Sequence, residues 1–152
     1  MNKEELYMSK ALEEAKKAYK KGEIPVGAII VKDGKIISRA HNQKEEKKDP
    51  TKHAEISAIL KACKKIDAWR LEGAEMYVTL EPCMMCAGAI VQSRLKKVYI
   101  GAPNKKLGYC GSVINLLDQN NEFKVESEFG ILEDECSKIL KDFFKELRKS
   151  SK

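Results

Sequence analysis

The chain has 152 residues, 43% of them hydrophobic and 34% charged, with a formal net charge of +6 at neutral pH. That length suits about one domain, residues 1–152, burying roughly two thirds of the surface of its unfolded form, and the mix excludes a disordered or membrane protein. The positive charge suits either a solubilising surface or an acidic partner such as nucleic acid. Its longest apolar run, Cys83 to Val91, is too short to cross a bilayer, and the first residues show no signal-peptide pattern. An odd set of five cysteines then favours reduced thiols and metal ligation over a disulfide framework, and a cytoplasmic protein is expected.

The first helix is expected from Glu4 to Lys21, where Tyr7, Met8, Ala11, Leu12, Ala15, Ala18 and Tyr19 recur at helical spacing and Gly22 ends the pattern. Pro25 to Val31 and Ile36 to Ala40 read as strands joined through Asp33-Gly34, a strong hairpin signal. From His41 to Lys52 the chain is polar and mixed in charge, a solvated loop. A second helix follows from Ala54 to Lys65. Pro50 biases Asp49 away from helical geometry and Thr51 is the candidate cap, which puts His53 and Glu55 in the first turn. Met76 to Leu80 is a third strand, and Pro82 suits the first position of a helix running toward Arg94. Lys97 to Gly101 reads as a fourth strand, and Phe123 to Phe129 as a fifth or as part of a hairpin. The last helix runs from Leu132 to Lys149, with Ile139, Leu140, Phe143, Phe144 and Leu147 on its apolar side. Strands alternating with helices after a hairpin give an α/β layered domain with a mixed sheet.

Two short strings carry the chemistry. His53-Ala54-Glu55 and Pro82-Cys83-Met84-Met85-Cys86 together supply an imidazole and two thiolates for a zinc ion, with one carboxylate left over. Three protein ligands leave the fourth tetrahedral position open, as catalytic zinc requires and structural zinc does not. Cys83 and Cys86, three apart at a helix start, present their sulfurs on one face, and the helix amino end favours their thiolate form. Zinc held in this way brings the pKa of a bound water to about 7. Glu55, beside a ligand on the same turn, is then the candidate proton carrier. This pairing of H-x-E with P-C-x-x-C is the signature of zinc-dependent nucleobase deaminases. A redox pair of thioredoxin type uses Cys83 and Cys86 alone and leaves His53 and Glu55 without a task. A structural zinc knot needs a fourth ligand, for which Cys63, Cys110 and His41 are the candidates. Cys63 and Cys136 otherwise read as small buried side chains on apolar helix faces.

Longer stretches are informative too: Glu23 to Ala28, Asp49 to Glu55, Tyr77 to Ala89, Gly108 to Ser112 and Asp142-Phe143-Phe144. They resemble the bacterial tRNA-specific adenosine deaminases over nearly the whole chain. The resemblance implies a three-layer α/β/α cytidine-deaminase-like fold with a mixed sheet of roughly five strands, a homodimer, and one Zn2+ per subunit. It implies deamination of the wobble adenosine of an arginine tRNA anticodon to inosine. It also implies ligand roles for His53, Cys83 and Cys86, the proton shuttle for Glu55, contact of the Asn42 amide with the flipped nucleotide, and Ala54 lying against its base. The phosphates of an anticodon stem-loop call for positive surface, for which Lys105, Lys106, Arg70, Arg94, Lys145, Arg148 and Lys149 are candidates. Phe143 and Phe144 are adjacent and cannot both point inward, so one packs in the core and Phe144 is counted with the substrate contacts. Tyr109-Cys110 and His41 depart from the family pattern, and the substrate groove is expected to differ there. Neither a membrane nor DNA is an expected partner. The competing enzyme is a guanine or cytosine deaminase acting on a free base; the competing class is an RNA-binding module with structural zinc.

Overall fold

The structure, a computed structural model, describes residues 1–120 and 122–150. In chain order it contains α1 (Lys3–Lys20), β1 (Gly27–Lys32), β2 (Lys35–His41), α2 (Lys44–Lys47), α3 (Ala54–Ile66), β3 (Glu75–Leu80), α4 (Met84–Gln92), β4 (Lys97–Ala102), a 3-10 turn (Leu116–Asp118), β5 (Glu126–Phe129) and α5 (Glu133–Ser150). The strands form one sheet in the order β2-β1-β3-β4-β5. β1 runs antiparallel to both β2 and β3, while β3, β4 and β5 are parallel to one another. The sheet is therefore mixed, as expected.

Side chains alternate across the strands and split the core into two layers. Ala28, Ile30, Met76, Val78, Val98 and Ile100 pack with Ala58, Ala62, Ala87 and Ile90 of α3 and α4. Ile29, Val31, Tyr77 and Tyr99 pack on the other face with Met8, Ala11 and Leu12 of α1 and Cys136 of α5. This is the three-layer α/β/α domain that the resemblance implied. The contact of α5 with β4 is close: a Cβ on Gly101 would stand 2.4 Å from the Cys136 sulfur. Cys136 is accordingly a small buried side chain, as expected. Among the described residues no helix is long and apolar enough to cross a membrane.

Several boundaries differ from the expectations, each for a reason outside the local pattern. The segment read as a loop contains α2, which buries none of its own residues. It forms because the carboxylate of Glu23, distant in sequence, accepts the backbone N–H of Glu45 and of Glu46. Thr51 does not cap α3; His53 occupies the N-cap, and the first helical N–H, of Ala54, is bound by the Asn42 side chain at 2.8 Å. Pro82 stands before α4 rather than in its first position, because Cys83 is the N-cap. The fifth strand shortens to Glu126–Phe129. The apolar side of α5 is covered unevenly: Phe143 is buried against Tyr19, ring centroids 5.6 Å apart, whereas Phe144 and Leu147 are exposed.

Candidate active site

The site is built where β3 and β4 end, with the amino ends of α3 and α4 facing each other. His53 caps α3 and Cys83 caps α4, both in extended geometry and both without a side-chain capping bond. Their side chains are thereby left to point at each other. The His53 Nδ1 lies 3.6 Å from the Cys83 Sγ and 3.5 Å from the Cys86 Sγ. A tetrahedral zinc with bonds of ordinary length places its nitrogen and sulfur ligands about 3.6 Å apart. The His53 nitrogen thus already stands from both sulfurs at about the separation such an ion requires.

Among the described residues His53, Cys83 and Cys86 are the His, Cys, Asp or Glu side chains close enough together to hold a metal. None of the three candidates for a fourth ligand joins them. The His41 ring lies against the Glu14 carboxylate at 3.2 Å, and the half-buried Cys63 thiol donates to the Trp69 carbonyl. Cys110 is buried beside the site, and burial pushes its thiol up. Three donors without a fourth are the open arrangement, and the structural-zinc reading lacks its last ligand.

Charge in the site follows from burial and from the hydrogen bonds among these groups. The Cys86 thiol hydrogen-bonds to Cys83 and draws the latter down to about 3; the same bond pushes Cys86 up. His53 is raised by its own bond to Cys83. Glu55 is 4% exposed, and its burial pushes the carboxyl up to about 7. A carboxyl so poised can take and release a proton near neutral pH.

A cavity of about 160 Å³ opens on these groups, lined by Ile24, Val26, Asn42, Lys44, His53, Glu55, Leu80, Glu81, Cys83, Asn104 and Leu107. Asn42 is on its wall, but its amide also has a structural task. The oxygen accepts the Ala54 N–H and the nitrogen donates to the Ile24 carbonyl at 3.1 Å, which fixes the turn that presents His53 and Glu55. Ala54 itself is fully buried in the core beneath this turn. A second cavity of about 220 Å³ adjoins the first, sharing Ile24, Asn42 and Lys44 and closed by Phe143, Phe144 and Leu147. Phe144 therefore lies within the extended groove.

The basic candidates separate into three places. Lys105 and Lys106 are exposed on the turn after β4, beside Asn104 and Leu107 of the cavity wall, and Arg148 and Lys149 are exposed in the last turn of α5. Arg70 and Arg94 are elsewhere. They lie where β3 and β4 begin, across the length of the strands from Cys83, and they stack on Trp69 at 4.6 and 5.4 Å; Arg94 also lies 3.5 Å from the centre of the Phe123 ring. Within one chain Arg70 does not join the site.

Sequence reasoning missed Glu81. It is 2% exposed, and its carboxylate accepts the backbone N–H of Asn104, Cys110 and Ser112, each at 3.0 Å, together with the Ser112 hydroxyl. One buried acid thus fastens the whole turn that walls the cavity after β4. Gly108 is required by the same packing, since a Cβ there would fall 2.2 Å from the Glu81 carboxyl carbon. The signal available in the sequence was an acid set between the apolar end of a strand and Pro82-Cys83.

The family model for MafB19-like deaminases matches residues 1–148. The chain is 52% identical to the tRNA-specific adenosine deaminase of Bacillus subtilis, over 100% of this chain and 95% of that one. It is 54% identical to the tRNA-specific adenosine deaminase of Aquifex aeolicus, with 95% of each covered. Among solved structures it is similar to one from studies of A-to-I editing by tRNA:A34 deaminases at the wobble position. The TM-score is 0.85 at 40% identity, covering 89% of this chain and 99% of the other.

Proposed function

This chain belongs to the MafB19-like deaminases and, among them, to the tRNA-specific adenosine deaminases, and we propose that it converts adenosine to inosine at the wobble position of a tRNA anticodon. The observation that carries the deaminase chemistry is the set of three metal donors with a buried carboxyl beside them, and the identity to tRNA deaminases carries the substrate. A free-base guanine or cytosine deaminase needs the same donors, and the high identity to tRNA deaminases speaks against it.

The overall reaction consumes water and releases ammonia, replacing the amine on C6 of adenine by oxygen. His53 through Nδ1, and Cys83 and Cys86 through their sulfurs, would hold the zinc. When bound, zinc supplies the Lewis acidity that lets water ionise near neutral pH. Glu55 takes up the proton that water gives away, delivers it to N1 of the ring, and carries the next one to the departing amine nitrogen. Its burial raises the carboxyl above the usual carboxylate range, which favours proton uptake. The target base enters the cavity in this reading, and an anticodon loop offers an unstacked base at lower cost than a duplex.

In this reading Asn42 faces the flipped nucleotide with what remains of its hydrogen-bonding capacity, and Ala54 supports the turn beneath the base. Lys106, Phe144 and Arg148 meet the surrounding loop. Arg70 reaches the same RNA only from a second subunit, in keeping with a homodimer whose subunits each form one domain and hold one zinc.

The test is incubation of the zinc-loaded protein with an anticodon stem-loop carrying adenosine at the wobble position, with free guanine and free cytosine alongside. Inosine from the stem-loop, with no product from the free bases, is the expected result. Deamination of a free base with no inosine moves the chain to the competing substrate class.

A further inference from the structure

Lys44 lines both cavities, the one around the metal donors and the one closed by Phe143, Phe144 and Leu147. Its residue is half-buried, yet among the described residues its ammonium makes neither a hydrogen bond nor an ion pair. The nearby acid Glu46 is engaged by Lys21 at 3.3 Å. An ammonium with no hydrogen-bonded or ion-paired partner in its own chain keeps its three donors for an anion from outside.

The position of Lys44 is also fixed. Glu23 is 2% exposed, and its two carboxylate oxygens accept the N–H of Glu45 at 3.1 Å and of Glu46 at 2.8 Å. α2 buries nothing of its own, and this buried acid, with the Lys21–Glu46 ion pair, holds the segment against the body of the chain. The next residue, Ile24, accepts from Asn42. Glu23 and Ile24 therefore anchor the two sides of the ridge that carries Lys44. In a polynucleotide with one base in the first cavity and a neighbouring base in the second, the group that crosses this ridge is the phosphodiester between them. An ammonium with three donors suits a phosphate oxygen in that place.

We propose that Lys44, positioned by the Glu23 clamp on α2, binds the phosphodiester joining the target nucleotide to the neighbour that occupies the Phe143 and Phe144 cavity. It thereby selects a polynucleotide over a free base or nucleoside. The assignment rests on the RNA-deaminase reading above and names a contact within that same site.

The experiment compares wild type, Lys44→Gln, Lys44→Arg and Glu23→Gln on the wobble-adenosine stem-loop, with native linkages and with one uncharged methylphosphonate placed 5′ or 3′ of the target. For one of the two placements the wild type is expected to lose about tenfold in kcat/KM, the worth of one charge-assisted contact. Lys44→Gln loses as much on native RNA and nothing further on the neutralised linkage, and the slope of its log affinity against log salt is shallower by about 1. Lys44→Arg keeps most of the activity. Glu23→Gln, which retains a single oxygen for two amides, shows a smaller loss confined to the same linkage, with metal content unchanged. Wild-type activity in Lys44→Gln overturns the assignment, and so does an equal methylphosphonate penalty in the two proteins at both placements. Absence of inosine from wild type on the native stem-loop overturns the RNA-deaminase reading first, and this contact with it.

Discussion

At the carboxyl ends of β3 and β4 the chain buries two carboxylates; at the amino ends of the same strands most of its charges are exposed. The first region holds Glu55 and Glu81, each nearly inaccessible, around a cavity of about 160 Å³. The second is a depression of about 720 Å³, in which Arg70, Arg94, Lys96 and Lys124 are interspersed with Glu72, Glu122 and Glu126. By size alone the second would be the site. A buried carboxylate, however, persists only where hydrogen bonds or a charge partner compensate its desolvation, so each one marks something the fold holds in place. Glu81 holds the cavity wall and Glu55 stands ready for a proton. Within one chain the guanidiniums at the other end rest on Trp69 and Phe123 and position nothing in the cavity.

Substitutions at the two ends should separate accordingly. The largest effect is expected for Cys86→Ser, which removes a fully buried ligand: metal and activity disappear together, and the midpoint of thermal unfolding falls sharply, read by metal analysis and calorimetry. Next is Glu81→Ala. It strips the acceptor from three backbone N–H groups and one hydroxyl, at about 1–3 kcal/mol for each donor left buried without a partner. The expected signature is a rise in KM larger than the fall in kcat, with metal retained; equal binding by the variant would show that the turn is held by other contacts. Asn42→Ala removes the bond to the first amide of α3 and should cost about 1 kcal/mol in denaturant unfolding, with a drop in activity as His53 and Glu55 loosen. Smallest is Arg70→Ala, expected to stay within about 0.5 kcal/mol of wild type with its metal intact. Loss of metal from that variant would break the contrast between the two ends.

Much of the chemistry was legible in the sequence because it is local. The spacing of His53 to Glu55 and of Cys83 to Cys86 places each pair at one helix start, and the structure needs only to bring two such starts together. The strands around Ile29 and Tyr77 were likewise legible, while the layer each side chain joins is set by the fold. The supports were not legible. Asn42 binds an amide 12 residues away, Glu23 binds amides 22 and 23 residues away, and Glu81 reaches across 23 to 31 residues. None of these contacts lies within one element or at a helical or strand period, so no local pattern records them. Arg70 was grouped with the substrate contacts by charge alone. Its actual place depends on α3 returning the chain to the far end of the strands, which is a property of the topology rather than of the residue.

The central claim is that Glu55 moves protons and does not hold the metal. Glu55→Gln, assayed on one sample for zinc per chain and for inosine formed from the stem-loop, tests it directly. The account predicts wild-type zinc content with turnover reduced by about 10²–10⁴, the range of a lost acid–base group. Near-normal turnover, or loss of zinc from that variant, would contradict it.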